Sequence, residues 1–313
     1  MNYLVTGGAG FIGSNLVHLL VQEGHRVTVV DDLSTGRMGN LAGAEAALAV
    51  GSVADTDFMM RYAAGVDGIF HLAAVASVQR SMEEPGACHA VNVTGTVNVL
   101  EAARVNGVKR VVISSSAAVF GDNPDLPLRP DSRTGPISPY GLHKLMCEQY
   151  GRLYTARGWT EVTALRYFNV FGPRQDPKGE YAAVVPKFIT ALLGGGRPKV
   201  FGDGLQTRDF LFVEDVARAN LAAMTCPDAA GRVVNLCAGR ETSLLDLLAA
   251  LAGATGKHPE PQFLPPREGD IRRSYGSGEE AVRLLGLPAW TPIPEGLART
   301  VEFFLRKDLD EPA

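Results

Sequence analysis

The chain has few cysteines, little charge imbalance and no long apolar run, and each shortage closes off a class of protein. Its four cysteines, Cys88, Cys147, Cys226 and Cys237, fall in no CxxC or metal-ligand spacing. Neither a disulfide scaffold nor a metal site is therefore expected. They read as reduced, mostly buried thiols of a cytoplasmic protein. A net charge of −4 over 313 residues supplies no basic field. Bulk attraction to nucleic acid or anionic membrane is excluded, which leaves only a local cationic pocket for a phosphate ligand. No apolar run approaches the ~18 residues of a membrane span, and a strand opens the chain where a secretory leader would carry basic and then apolar residues. There is no internal repeat and no low-complexity segment. What remains, 46% hydrophobic and 20% charged, is the makeup of a globular chain long enough for one large or two intimate domains.

Glycine is plentiful where it matters. The short apolar strand Tyr3-Leu4-Val5 runs into Thr6-Gly7-Gly8-Ala9-Gly10-Phe11-Ile12-Gly13, and a helical pattern follows to Gly24. Strand, glycine turn, then helix is the setting of a dinucleotide fingerprint. Gly7 permits the tight turn, Gly10 lets a pyrophosphate approach the backbone, and Gly13 lets the helix pack close to the strand. The free N–H groups of the helix N-terminus then face the phosphates. A second strand, 26–30, ends in Asp31-Asp32. An acid there accepts from both ribose hydroxyls and repels a 2′-phosphate, which favours NAD over NADP. Arg37 stands a few residues on and could soften that preference. Further strands are expected at 48–50, 68–72 and 110–114, with helices near 55–62 and 88–106. The continuous apolar run Val111-Val112-Ile113 suits a central parallel strand covered on both faces.

Tyr140 and Lys144 stand four apart in Ser138-Pro139-Tyr140-Gly141-Leu142-His143-Lys144, so a helix presents them on one face. A nearby cation favours the phenolate and equips the tyrosine to exchange a proton with a substrate hydroxyl. Taken alone, the pair is equally a half-buried tyrosine beside a surface lysine. Ser116 ends a central strand, where open α/β sheets place their ligands. Ser114 and Ser115 are compatible with purely structural roles, and His71 and His143 read as bystanders.

The glycine turn, the Ser114-Ser115-Ser116 strand end and Tyr140/Lys144, in that order, resemble an extended short-chain dehydrogenase/reductase of the NAD-dependent sugar-nucleotide epimerase/dehydratase family. The stretches Phe70-His71-Leu72-Ala73-Ala74, Val91-Asn92-Val93, Arg166 to Pro173, Thr207-Arg208-Asp209-Phe210 and Arg267-Glu268-Gly269-Asp270 match it as well. The resemblance covers nearly the whole chain. It implies a Rossmann-type doubly wound parallel sheet over 1–171, rejoined by a segment near 208–240, and a smaller α+β substrate domain drawn mainly from 172–313.

It also implies the site. Ser116, Tyr140 and Lys144 are the expected catalytic residues. NAD is expected against Gly7, Gly10, Phe11, Ile12, Gly13, Asp31, Asp32, Ser34, Gly36, Ser52, Val53, Leu72, Ala73, Ala74, Asn92, Ser114, Tyr140, Lys144 and Tyr167. A UDP-sugar is expected against Ser116, Tyr140, Asn169, Val185, Lys187, Phe201, Arg208, Arg267, Asp270 and Ser274. In that set the two arginines and Asn169 reach the diphosphate and Asp270 the uridine ribose. A guanidinium fork suits phosphate oxygens. A homodimer through the 88–106 and 138–157 helices is implied too.

Ala117-Ala118 stand where members that eliminate water look to carry an acidic pair, so a 4,6-dehydratase is not expected. The resemblance points to a UDP-hexose 4-epimerase working through a 4-keto intermediate. Small Ser274 leaves room for an acetamido group, so UDP-GlcNAc/UDP-GalNAc is expected beside UDP-glucose/UDP-galactose. The stretches 75–81 and 181–186, and Ala76 in place of a lysine, point the same way. Ser52 replaces an aspartate that commonly meets adenine, and Phe120 replaces a frequent tyrosine. A UDP-glucuronate 4-epimerase or decarboxylase shares the same core, and a non-catalytic NAD-binding sensor is the reading from another class.

Overall fold

Successive residues of the central strands go to opposite apolar layers, as the two-residue period of a strand requires. A computed structural model describes residues 1–177, 183–258, 260–266, 269 and 271–310, without the side chains of 307–310. The expected substrate contacts Arg267 and Asp270 lie outside the described residues. The first half runs β1 (Asn2–Thr6), α1 (Phe11–Gln22), β2 (Arg26–Asp31), β3 (Ala47–Val50), α2 (Thr56–Tyr62), β4 (Gly68–His71), α3 (Val78–Glu83), α4 (Pro85–His89) and α5 (Gly95–Val105). It continues through β5 (Arg110–Ser116), α6 (Pro139–Ala156), β6 (Glu161–Tyr167) and β7 (Asn169–Phe171). Then come α7 (Val184–Leu193), β8 (Lys199–Phe201), β9 (Thr207–Arg208), β10 (Phe210–Phe212), α8 (Val213–Thr225) and β11 (Val233–Leu236). The chain closes with β12 (Thr242–Ser243), α9 (Leu244–Thr255), β13 (Gln262–Leu264), β14 (Arg273–Ser274), α10 (Glu279–Leu285) and α11 (Ile293–Asp310).

Seven parallel strands form the main sheet in the order β11-β6-β5-β4-β1-β2-β3. This is a Rossmann-type α/β fold. Strand order reverses between β1 and β4, and the crevice beyond their carboxyl ends is where such sheets bind ligands. Leu4, Ile69, Val111 and Ile113 join Met59, Val99, Ala103 and Cys147 on the side of α2, α5 and α6. Val5, Phe70 and Val112 join Leu16, Leu20, Val216 and Ala223 on the side of α1 and α8. Each Val, Leu, Ile, Phe or Met among them contributes about 1.5–3 kcal/mol by leaving water. That double burial is why 111–113 carries no polar residue. A separate apolar cluster, including Phe171, Val185, Phe188, Leu192, Leu247, Leu251 and Leu297, binds α7, α9 and α11 together.

The stretch 88–106, expected as one helix, starts earlier and is interrupted. Pro85 occupies the first turn of α4, where its missing N–H costs nothing, and residues 90–94 form a π turn before α5. Such a turn frees a carbonyl from the helical ladder. Here the Asn92 carbonyl accepts instead from Thr96 Oγ1 at 2.6 Å and Cys147 Sγ at 3.2 Å.

Candidate active site

The glycine turn packs as its spacing requires. Gly7 has φ +69, and a Cβ there would lie 2.6 Å from the Ala73 nitrogen. A Cβ on Gly13 would lie 2.1 Å from the Gly7 carbonyl oxygen. Gly10 differs: its Cβ would meet only the Gly7 oxygen, at 3.2 Å. Gly10 also sits at the N-cap of α1, and no side chain caps that end. The free N–H groups and positive dipole end of α1 thus open onto the crevice. The side chains of Phe11 and Ile12 pack against the apolar cluster of α7, α9 and α11.

Asp31 is buried at the end of β2. Its carboxylate accepts from Ala9 N–H and Leu33 N–H, both at 2.9 Å. Burial raises its pKa, and those two bonds draw it back. A Cβ on Gly36 would lie 2.6 Å from the same carboxylate, so glycine is needed there to let the loop close on Asp31. Asp32 is exposed and accepts from Ser34 N–H (3.0 Å) and Oγ (2.6 Å). Arg37 is drawn to Asp176, 2.6 Å away, rather than to the ribose side of Asp31. Ser52 Oγ accepts from Ala54 N–H at 3.2 Å. Val53 is core, and its carbonyl holds Asn98.

Leu72, Ala73 and Ala74 follow β4 along the edge of the glycine turn, where Leu72 N–H donates to the Thr6 carbonyl at 3.0 Å. The Asn92 amide spans the backbone of Val75, accepting at 2.7 Å and donating at 3.1 Å. It pins the loop after β4. The Tyr167 hydroxyl donates to Asn220 Oδ1 at 2.9 Å inside the core, with its pKa raised mainly by burial.

Ser138 caps α6 by accepting from Gly141 N–H at 3.2 Å, and Pro139 fills the first turn. Tyr140 N–H donates to Ser81 Oγ at 3.1 Å, fixing that turn against α3. Lys144, one turn on, is 5% exposed. Its Nζ donates to the Ser114 carbonyl (2.8 Å) and Oγ (3.1 Å) and stands 5.9 Å from the centre of the Tyr140 ring. Burial raises the Tyr140 phenol, and a hydrogen bond with Ser116 lowers it again. Ser116 Oγ also accepts from Ala118 N–H at 3.1 Å, which aims its proton at the phenol. Burial lowers the Lys144 pKa, and Cys147 and Glu148 raise it. Ser116, Tyr140, Lys144 and Ser114 thus form one cluster at the carboxyl end of β5. A phenol able to give and take a proton, a hydroxyl relay and a buried ammonium are the parts of a reversible proton carrier.

His71 and His143 lie beside the cluster. Thr96 Oγ1 donates to the Asn92 carbonyl, so it accepts from His71 Nε2–H at 2.9 Å, and His71 Nδ1 accepts from Thr6 Oγ1 at 2.7 Å. Burial first and then the Lys144 charge push this imidazole down to about 3. His71 is a neutral tie between β1 and α5. The His143 ring stacks edge-on to His89 at 5.3 Å, and its buried Nδ1 has no partner.

On the second half, Arg208 Nη1 donates to the carbonyls of Thr207 (2.8 Å) and Ile271 (2.7 Å). Ser274 is its direct partner in the parallel β14–β9 pairing. Asn169 starts β7 with its side chain exposed and its N–H on the Asp209 carbonyl at 3.0 Å. Val185 is buried in the core, and Lys187 follows on the half-buried face of α7. Phe201 ends β8 beside a cleft of about 560 Å³ bounded by Gly202, Asp203, Phe263, Leu264, Pro266 and Arg272. That cleft stands apart from Tyr140.

Three site residues escaped the sequence reading of roles. Asp209, wholly buried, accepts from Ala238, Gly239 and Gly276 N–H groups and ties three loops together. Glu148 and Arg166 form a buried ion pair behind Ser115. The legible signals were an acid four residues after Lys144 and an arginine inside an apolar strand. Among the described residues, no group of three or more His, Cys, Asp or Glu is placed to hold a metal.

The uncapped α1 end, the open space before Gly10 and the buried Asp31 fit a dinucleotide. Comparison with known proteins agrees. The model of the NAD dependent epimerase/dehydratase family matches residues 3–237. A UDP-glucose 4-epimerase of Mycolicibacterium smegmatis is 44% identical, with 98% of this chain and 99% of that protein aligned. The crystal structure of a UDP-glucose 4-epimerase from Thermotoga maritima with UDP-glucose superposes with a TM-score of 0.93 at 40% identity, covering 99% of this chain and all of that one. A UDP-N-acetylglucosamine 4-epimerase from Methanobrevibacter ruminantium in complex with UDP-N-acetylmuramic acid gives a TM-score of 0.93 at 35% identity, covering 98% of both chains. By sequence and by fold alike, this chain belongs to the NAD-dependent epimerase/dehydratase family and is an NAD-using enzyme of the isomerase class.

Proposed function

We propose that the protein is a UDP-hexose 4-epimerase acting on UDP-glucose/UDP-galactose and on UDP-GlcNAc/UDP-GalNAc. The observation that carries this reading is the Ser116–Tyr140–Lys144 cluster, with the Arg208–Ser274 pair on the substrate side of the fold. Gly7, Gly10 and Gly13 would hold the pyrophosphate of NAD, Asp31 or Asp32 its ribose, and Lys144 its nicotinamide end. When bound, NAD supplies the acceptor that takes a hydride from C4 of the sugar and gives it back. Tyr140 takes the proton from the 4-hydroxyl, with Ser116 relaying it and Lys144 stabilising the anionic phenol. After the 4-keto sugar turns about its diphosphate, Tyr140 returns the proton to O4 of the opposite epimer. No acid stands at Ala117-Ala118 to expel a hydroxyl, which supports epimerisation over dehydration.

The small Ser274 side chain next to Arg208 supports room for a 2-acetamido group, as does the likeness to a UDP-N-acetylglucosamine 4-epimerase. The apolar stripe Leu142, Met146, Tyr150 and Leu153 on α6, each 37–44% exposed, supports a homodimer through α5 and α6. All four cysteines are free thiols, which supports a cytosolic setting. Incubating the protein with a panel of UDP-sugars and reading C4 stereochemistry by NMR tests the proposal. Tyr140→Phe should lower kcat at least ~100-fold. Near-normal turnover by that variant would refute the mechanism, and inertness toward UDP-GlcNAc with activity on UDP-glucose would refute the substrate range.

A further inference from the structure

Ser115 stands between the two serines of the site, and its hydroxyl bonds a residue not yet given a role. Ser115 Oγ donates to Glu148 Oε1 at 2.5 Å. Arg166 grips both oxygens of the same carboxylate, through Nε and Nη2, each at 2.8 Å. Its Nη1 donates to the Pro130 carbonyl at 3.0 Å, and its guanidinium lies 4.7 Å from the centre of the Phe120 ring. Ser115 and Arg166 are direct partners in the β5–β6 pairing. The Glu148 and Arg166 side chains are only 1% and 2% exposed.

Four pieces of the site therefore meet on this pair: the end of β5, the turn holding Phe120, the segment leading to Ser138, and α6. A buried ion pair is a weak source of stability, because desolvation consumes most of the attraction and apolar residues of the same shape do as well. The layer it faces is otherwise apolar, since Ala164, two residues before Arg166 on the same strand face, and Cys147, next to Glu148 on α6, both belong to it. The position of the charge is what an apolar pair would not reproduce. Glu148 follows Lys144 by one helical turn, on the face that carries Tyr140 one turn earlier.

We propose that Glu148, clamped by Arg166, is a positioning residue for the epimerisation. It locks the Ser114–Ser116 strand end to α6 and presents the negative end of a buried dipole to the Lys144 ammonium. This rests on the function proposed above. The groups facing Lys144 are Tyr140, His143, Cys147 and Glu148 from its own helix, Ser114 from β5 and His71 from β4. His71 is neutral and Cys147 a buried thiol, which leaves Glu148 as the anion that keeps Lys144 charged. Arg166 bonds both oxygens of the Glu148 carboxylate and is not among the charges that move the Lys144 pKa. Burial lowers the Lys144 pKa most, and Cys147 and then Glu148 raise it.

The test compares wild type, Glu148→Gln and the double variant Glu148→Gln/Arg166→Met, measuring kcat and KM for UDP-glucose from acid to alkaline pH together with melting temperature. The double variant removes both charges, so it avoids stranding a buried arginine and keeps the test open should the single variant fail to fold. In both variants kcat should fall roughly tenfold or more with KM changed less than about twofold. The alkaline limb of kcat should move down by about one pH unit, as Lys144 loses its proton more easily. A double variant that melts near wild type and keeps the wild-type kcat and alkaline limb would show the pair to be only a core staple. Wild-type protein inert toward every UDP-sugar would instead sink the proposed function, and this inference with it.

Discussion

Lys144 Nζ lies 2.8 Å from the carbonyl oxygen of Ser114 and 3.1 Å from its hydroxyl, so the buried ammonium is anchored to the strand whose last residue, Ser116, bonds Tyr140. Strand end and helix face are thereby held as one unit. Lys144→Met removes the charge and the anchor at little change in volume. We expect a loss of kcat of at least ~100-fold, within the range of general acid–base effects. Co-purified NAD, measured in heat-released supernatant, should fall as well.

The two glycines of the turn separate packing from ligand approach. A Cβ at Gly13 collides with backbone 2.1 Å away, so Gly13→Ala should destabilise the fold by about 1–3 kcal/mol. Gly10→Ala meets a single atom at 3.2 Å and should melt within a few degrees of wild type while losing bound NAD. Equal melting losses in the two variants would contradict this division.

Ser274 tests the sugar pocket. As the strand partner of Arg208, a tyrosine there would project beside the expected diphosphate contact. Ser274→Tyr should cut kcat/KM for UDP-GlcNAc by roughly 10–200-fold and leave UDP-glucose within a few-fold. An equal loss on both sugars would mean the residue does not face the 2-substituent.

His71 gives a pH signature. Its folded pKa, about 3, lies below the ordinary 6.5. The unfolded chain therefore binds the extra proton between those values, and stability rises with pH across that window. The contribution is fully present above about 6.5 and is lost as pH falls toward 3, an upper bound of about 5 kcal/mol. Melting curves from pH 7 to pH 4 should show a steeper acid decline for wild type than for His71→Gln. Parallel declines would mean the ring is not held neutral.

The α6 stripe tests self-association. Replacing Leu153, 44% exposed and in line with Met146 and Tyr150, by arginine places a charge within the expected contact. The proposed homodimer predicts a dimer for wild type and a monomer for this variant by light scattering, and the same mass for both would refute it.

Much of this was legible before any coordinates. Val111-Val112-Ile113 announced a strand buried on both faces, and those residues do divide between the two layers. The interruption of 88–106 was not legible, because the helical apolar pattern runs through it. The π turn is favoured by a local bond, Thr96 returning to the Asn92 carbonyl from one turn on, and by a tertiary one, Cys147 reaching the same carbonyl from α6. The reach of Asn92 to Val75 and the Glu148–Arg166 pair are equally non-local, since each needs elements joined only by packing. Ser274 could be singled out but not located, because its strand is two residues long and pairs with a segment more than sixty residues earlier.

The last strand of the main sheet has a consequence for the order in which the molecule can be made. β11 pairs with β6, yet the chain between them supplies β7 to β10 and the helices α7 and α8. A ribosome that has released residues 1–171 has made a sheet with one bare edge at β6. The apolar side of α1, which α8 later covers, is bare too. Unpaired strand edges and uncovered apolar faces are the hazards of a nascent chain. The main sheet cannot be completed before residues 213–236 have been made, and a protein cut after Phe171 should aggregate rather than fold as a free nucleotide-binding module.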